Sequence, residues 1–317
     1  MLVAVSGTKF SGLELAIEGL VKDHGFQLID KDKNEDEILD YATKNYTKNL
    51  VVELEKLSLL EKLEKRPFFV HLSLDASINL RLNLQKLNPK FKENDGIDLS
   101  DILKAIDECD YENESVLVRE RANFKFKIIT KDLSDIKNRL IKSIAEQLQM
   151  LQNQSSSNEL SPPLRPDWDT YFMKLATLAA SRSNCMKRRV GCVIVRDRRV
   201  IATGYNGTPR HLTNCFNGGC PRCNDGNSHT LHTCLCLHAE ENALLEAGRD
   251  RIGQNAILYC DTCPCLTCSV KIVQTGIKEV VYSQSYRMDE DSFKVLKEGG
   301  VNIRQFNFLQ DPRIILI

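Results

Sequence analysis

The sequence carries no surplus of charge: 43 Lys and Arg are matched by 43 Asp and Glu, and the formal net charge is zero. A protein that grips long polynucleotides through phosphate contacts usually shows a strong basic excess, so the balance argues against stable nucleic-acid binding. It leaves room for a small anionic ligand held by a few basic side chains. Long apolar runs are also missing. None approaches the 18 residues of a membrane span, so no membrane partner is expected. The opening stretch Met1–Gly7 has no basic segment and no cleavage site, and it reads as a first β-strand and not as a secretory leader. The sequon Asn45-Tyr46-Thr47 is therefore expected to stay unmodified. The expected compartment is the cytoplasm, with the nucleus also compatible. No internal repeat is present.

Cysteine is nearly absent from the first half and crowded in the second. Of the 12 cysteines, 11 lie between Cys185 and Cys268. A disulfide-stapled secreted protein would be smaller and would carry a leader. Clustered Cys with His nearby in a reducing compartment points to metal.

The chain has 317 residues, 42% apolar and 27% charged, which suits about two globular domains with ample core. Residues 149–166 lose hydrophobic periodicity and gain Ser, Gln and Pro. The expected division is a first domain over 1–150, a linker over 151–166 and a second domain over 167–317. In the first, LVAVSG, FQLID, FFVHLSL and FKFKIIT read as strands. A helix from about Leu13 and amphipathic stretches at 98–109 and 133–151 lie between them. This alternation predicts an α/β layer fold with a mostly parallel sheet. In the second, a helix after Asp167 leads to the strands VGCVIV and VIATGYN, and a Cys-rich loop over about 207–236 follows. Then come the helix HAEENALLEAG ending at Gly248, strand AILYC, helix PCLTCSVKIVQTG, strand EVVYS, helix DSFKVLKEGG and last strand VNIRQF. The order is α-β-β-α-β-α-β-α-β.

Gly7-Thr8-Lys9-Phe10-Ser11-Gly12 sits between a strand and a helix, as the phosphate loop of a small nucleotide kinase does. That pattern next demands Lys for the phosphates and Ser or Thr for Mg²⁺, but Leu13 and Glu14 stand there. The reading is a P-loop-kinase-like α/β domain with a degenerate loop and no phosphotransfer, structural or regulatory in role. A remnant anion site at the helix start stays open.

The chemistry concentrates in His238-Ala239-Glu240 and Pro264-Cys265-Leu266-Thr267-Cys268. Each segment begins a helix. Cysteines three apart on a helix face the same way, and thiolates at helix amino-termini are favoured by the dipole and by unpaired N–H groups. His238, Cys265 and Cys268 make a Cys₂His set for Zn²⁺ that leaves the fourth tetrahedral position open, as a catalytic site requires. Zinc lowers the pKa of a bound water from 15.7 toward about 7. Glu240, two residues past a ligand, is placed to carry protons without ligating. A structural zinc or a redox CxxC pair with an unrelated His is the plainer alternative.

At these residues the chain resembles the cytidine/deoxycytidylate deaminase superfamily, whose signature is H-x-E…P-C-x-x-C. The runs YFMKLATLAASRSNCMKRRVGCVIV, ATGYNGTP, HAEENALL and TCPCLTC resemble its deoxycytidylate branch, in the yeast form with an added amino-terminal domain. The resemblance implies a mixed five-stranded sheet between helices, and hydrolysis of dCMP to dUMP and ammonia for thymidylate synthesis. It implies activation by dCTP with Mg²⁺ and inhibition by dTTP, through a segment matching Gly204, Tyr205, Asn206 and Gly207 near a subunit interface. It also implies a homo-oligomer, a hexamer by family precedent. Asn206 and backbone groups of Ala239 are expected at the substrate, with Tyr286 covering the nucleotide. Asn206-Gly207 is also a strong turn pair in its own right. Lys187, Arg188, Arg189, Arg210 and Arg287 are candidates for the 5′-phosphate, or simply solvated charges.

A second zinc, structural in phage-type relatives, is implied at Cys185, Cys215 and Cys236, with His232 favoured as fourth ligand. Cys220-Pro221-Arg222-Cys223 offers a rival pair, and reduced buried thiols without metal are the alternative. A loop of about thirty residues inside a compact domain needs such a staple. Cys109, Cys192 and Cys260 read as core or spare thiols. Two other functions compete: a tRNA or polynucleotide base deaminase, opposed by the neutral charge, and a zinc-stabilised binding protein, opposed by Glu240.

Overall fold

The computed structural model describes residues 1–30, 33–87, 99–111, 114–130, 135–153, 162–225, 234–285, 290–308 and 313–317. It divides into two compact units, Met1–Arg165 with Leu309–Ile317, and Pro166–Phe308. The units meet near residue 166, and the carboxy-terminal segment belongs to the first unit and not to the second, where the sequence suggests a second domain over 167–317.

The first unit contains β1 (Leu2–Gly7), α1 (Leu13–His24), β2 (Gln27–Leu28), α2 (Glu35–Lys44), β3 (Leu50–Glu53) and α3 (Leu57–Leu63). It continues with β4 (Phe69–Ala76), α4 (Ile78–Leu87), α5 (Leu99–Tyr111), α6 (Ser115–Glu120), β5 (Phe124–Ile128) and α7 (Ile136–Asn153). Its final strand is Arg313–Leu316, at the other end of the sequence. The six strands form one sheet, in which this final strand edges β5 and the order runs on through β4, β1, β3 and β2. Every pairing is parallel. Helices cover both faces of such a sheet, so its central strands read as continuous apolar runs. Leu2, Val3, Ala4 and Val5 are accordingly all buried. One face packs Val3, Val5, Leu72 and Phe126 against Leu20 and Ile144. The other packs Leu2, Ala4, Leu50 and Val52 against Ile38 and Leu60.

The expected strand FQLID is reduced to two residues, and β3, which the periodicity did not single out, lies at the sheet's interior beside β1. The glycine-rich turn ends at Gly12, whose φ of 89° caps α1. Within it the Lys9 N–H donates to Asp110 Oδ1 at 2.7 Å, and Asp110 is buried in an ion pair with Arg81.

The second unit contains α8 (Trp168–Ala180), β6 (Gly191–Arg196), β7 (Arg199–Tyr205), a single 3-10 turn (Cys215–Asn217) and the short α9 (Pro221–Asn224). Then come α10 (Ala239–Ile252), β8 (Ile257–Thr262), α11 (Leu266–Thr275), β9 (Glu279–Gln284), α12 (Glu290–Glu298) and β10 (Asn302–Gln305). Counting along the chain, the final strand of the first unit is β11. The sheet is mixed and five-stranded, in the order β10-β9-β8-β6-β7. β6 is antiparallel to β7 and β8, while β8, β9 and β10 run parallel. The β6–β7 hairpin turns on Asp197 and Arg198, both at positive φ (51° and 59°), as a tight two-residue hairpin requires.

One face of this sheet packs Ala239, Ala243, Ile272 and Leu296 from α10, α11 and α12. The other packs Phe172, Met173 and Ala176 of α8 on Val193, Tyr259 and Val281. Two glycines set how closely these layers approach. A Cβ at Gly191 would stand 1.9 Å from Ala176 O, and one at Gly204 would stand 2.2 Å from Ala239 O. The expected stop at Gly248 is present as a break, with φ 65° and ψ 156°, after which helical turns resume to Ile252. Asp169 ties the layers' edge together. It accepts from Tyr259 Oη at 2.8 Å and pairs with Arg304 at 2.6 Å.

Candidate active site

The long loop after β7 leads into α10 and the short loop after β8 leads into α11, and the metal-type side chains gather at these two helix starts. His238 is the N-cap residue of α10 and Cys265 that of α11. Cys268 lies one turn further along α11, on the same side as Cys265. The result is a tight triangle: His238 Nδ1 is 3.3 Å from Cys265 Sγ and 3.4 Å from Cys268 Sγ. Zinc with bonds of about 2.3 Å to sulfur and about 2.0 Å to nitrogen needs donor separations of roughly 3.5 Å, so this donor set fits the ion.

Cys265 and Cys268 share a proton: the bond between them, with His238, holds the Cys265 thiol down to about 3 and pushes Cys268 up, and the Cys265 contact raises His238. Thr267 Oγ1 lies 3.1 Å from Cys265 Sγ as a further polar neighbour. Glu240 sits in the first turn of α10 and is only 4% exposed. Burial pushes its carboxyl up to about 7. A carboxyl near neutrality can take and give a proton with little bias, which is what a proton shuttle needs.

The same fold region holds the Gly204–Gly207 segment against α10. Asn242 Nδ2 donates to Tyr205 O at 2.9 Å, and Gly207 and Leu237 exchange two backbone hydrogen bonds just before His238. Asn206 is buried. Its Oδ1 accepts from Val190 N and its Nδ2 donates to Arg188 O, both at 2.8 Å, so the amide clamps the entry of β6 to the end of β7. Ala239 is fully buried, with its carbonyl close to Gly204. Arg188 donates to Gln284 Oε1 at 2.7 Å. Tyr286 and Arg287 lie outside the described residues, as do His229 and His232. Asp261, which sequence reasoning passed over, accepts from Gly191 N at 3.2 Å, and burial raises its carboxyl.

The sulfurs of Cys185, Cys215, Cys223 and Cys236 all lie within 4.8 Å of one another. Cys220 and Cys234 lie beside them. The C-x-x-C spacing had marked Cys223 only as a rival, and the C-x-C spacing of 234 and 236 was the unused signal. Cys192 and Cys260 face each other across β6 and β8, wholly buried, as core thiols. Cys109 is exposed.

Residues 166–284 match the model of the cytidine and deoxycytidylate deaminase zinc-binding region. Over 317 residues, 100% of both chains, the protein is 65% identical to the deoxycytidylate deaminase of Saccharomyces cerevisiae. The chain belongs to the deoxycytidylate deaminases. Likeness to the Schizosaccharomyces pombe deoxycytidylate deaminase is 45% over 326 residues, covering 96% of this chain and 97% of that one. A Mycobacterium phage D29 deoxycytidylate deaminase is 46% identical over 125 residues, which are 37% of this chain and 95% of the phage protein. The chain is therefore a deaminase of a zinc-dependent hydrolase family, and the match to the shorter phage relative takes in little more than a third of it.

Proposed function

We propose that the chain hydrolyses dCMP to dUMP and ammonia with Glu240 as proton carrier, beside a catalytic zinc on His238, Cys265 and Cys268. The observation that carries this is the Cys₂His triangle, with the buried carboxyl of Glu240 two residues past its histidine. When bound, zinc supplies the Lewis acidity that brings water within reach of a weak base at pH 7. Glu240 accepts the first water proton and returns it to N3 of the pyrimidine as the water oxygen adds to C4. It then takes the second proton to the 4-amino group, which leaves as ammonia. Asn206 and the Ala239 backbone orient the nucleotide, and Tyr286 covers it.

Regulation by dCTP with Mg²⁺ (activating) and dTTP (inhibiting) is assigned to Gly204, Tyr205, Asn206 and Gly207. The bonds from Gly207 to Leu237 and from Asn242 to Tyr205 support this, because they connect the segment to the residues around His238. A structural zinc is assigned to Cys185, Cys215 and Cys236, with Cys223, whose sulfur lies within 4.8 Å of the other three, as a fourth ligand beside the His232 that the resemblance suggests. The product supplies thymidylate synthesis, and family membership supports a homo-oligomer, a hexamer. A reducing compartment, cytoplasm or nucleus, is assigned with this reading, since metal-binding thiols must stay reduced. The first unit is assigned a non-catalytic, kinase-like role, since Leu13 and Glu14 replace the phosphate and magnesium ligands and Asp110 takes the Lys9 N–H.

The test is ammonia release from dCMP, deoxycytidine, CMP and a short cytosine-containing oligonucleotide, each with and without dCTP and Mg²⁺. Turnover confined to dCMP and stimulated by dCTP is expected. Turnover of the oligonucleotide alone, or none from zinc-loaded protein, would overturn the reading.

A further inference from the structure

Among the described residues of the loop between β7 and α10, the buried cluster is built of sulfur. Cys215, Cys220, Cys223 and Cys236 are buried together, Cys185 and Cys234 pack against them, and no other residue type joins the cluster. A small core made only of cysteine gains little from packing. None of the six is in a disulfide.

Their arrangement is more specific than a pool of thiols. Cys185, Cys215, Cys223 and Cys236 form one tetrad with sulfurs all within 4.8 Å, and Cys220, Cys223, Cys234 and Cys236 form a second within the same limit. The two tetrads share Cys223 and Cys236. A tetrahedral zinc with bonds of about 2.3 Å to sulfur has edges of about 3.8 Å. The Cys185–Cys223 edge of the first tetrad is 3.8 Å, and the Cys220–Cys234 edge of the second is 3.9 Å.

Local structure explains the sharing. Cys220 and Cys223 lie three apart at α9, so their sulfurs face one way, and Cys234 and Cys236, either side of a single residue, bring their sulfurs to the same tetrad. Each pair contributes one member common to both tetrads. Backbone donors already point at the terminal sulfurs. Met186 N–H donates to Cys215 Sγ at 3.4 Å and Leu235 N–H to Cys220 Sγ at 3.3 Å. Such N–H···S bonds offset the charge of thiolates, and six thiolates around two dications leave two negative charges to offset.

We propose that this loop holds two zinc ions bridged by Cys223 and Cys236, with Cys185 and Cys215 completing one ion and Cys220 and Cys234 the other. This goes beyond the single structural zinc above and does not depend on the deamination mechanism. Cys236 stands two residues before His238, so the cluster anchors the segment that leads into that histidine.

The test is metal counting on the full-length holoenzyme, purified without chelators, by elemental analysis and native mass spectrometry, with dCMP turnover measured on the same sample. Three zinc ions per chain are expected, one catalytic and two in the cluster. Two per chain would overturn the proposal while leaving the catalytic reading intact, and one would remove the structural zinc as well. In protein loaded with ¹¹³Cd, two cadmium resonances coupled to each other through shared sulfur are expected, and their lack of coupling would overturn the bridging. The double variant C220S/C234S should lose zinc from the holoenzyme count. An unchanged count would also overturn the proposal, and the wild-type measurements decide the matter if the variant fails to fold.

Discussion

Gly207 and Leu237 each donate a backbone hydrogen bond to the other, at 3.2 and 2.9 Å, so the segment after β7 is fastened to the residue directly before His238. Asn242, one turn into the following helix, adds a bond to Tyr205 O. An effector that moves this segment must move the start of α10. Replacing Asn242 with Ala removes a bond worth about 1 kcal/mol, so dCTP activation should fall by up to about fivefold, and by more than basal turnover falls. Titrations of dCMP turnover with dCTP in both proteins will show it. Equal loss of both would deny the linkage.

Glu240 should separate chemistry from metal binding. Glu240→Gln should lower kcat by roughly 10²–10⁴ while zinc content stays at the wild-type value. Wild-type kcat in a zinc-replete variant would remove Glu240 from the mechanism.

His238→Ala should release one zinc ion per chain and abolish turnover, since two thiolates alone do not complete the site. Elemental analysis and a dCMP assay on one preparation will check both. Retention of full zinc content would mean the metal has other ligands.

The close approaches at Gly191 and Gly204 make both positions intolerant of a methyl group. Gly191→Ala places carbon 1.9 Å from Ala176 O and must push α8 off the sheet. A cost of about 1–3 kcal/mol is expected, lowering Tm by roughly 2–4 °C for each kcal/mol. Differential scanning calorimetry of the variant measures this, and an unchanged Tm would show that the layers have slack.

His71 supplies a pH-dependent term in the first unit. It is buried, its Nε2 lies 2.9 Å from Ser6 Oγ, and its Nδ1 has no partner among the described residues. Burial lowers its pKa to about 3 from an ordinary 6.5. The unfolded chain therefore binds this proton first. Its contribution is full above pH 6.5 and is lost progressively as pH falls toward 3. Between pH 7 and 5 the loss amounts to up to about 2 kcal/mol. His71→Leu should flatten the denaturation midpoint over that interval, and an unaltered slope would count against the buried neutral ring.

The grouping of His238, Cys265 and Cys268 was legible because its information is local. Three-residue spacing puts Cys265 and Cys268 on one side of a helix start, and His-x-Glu sets Glu240 one turn-face away from the ligand. The five-stranded sheet was legible for the same reason, each element being bounded by its own Gly, Pro or cap. What the sequence hid depends on distant partners. Leu50–Glu53 lies in a run that also suits a helix, and only pairing with Leu2–Val5 makes it a strand. Cys223 joins Cys185, Cys215 and Cys236 through contacts across 38 positions of sequence, which no local spacing announces. Arg313–Leu316 looked like the tail of the second domain because nothing nearby in the sequence announces its partner, Phe124–Lys127.

That last pairing sets an order of events on the ribosome. β5 leaves the exit tunnel early, but the strand that closes its free edge is made only after the entire 166–308 unit. During synthesis the first sheet waits with an open edge, a template for wrong partners. A nascent chain stalled before residue 313 would be a sticky one, and the final strand acts as the latch that ends its exposure.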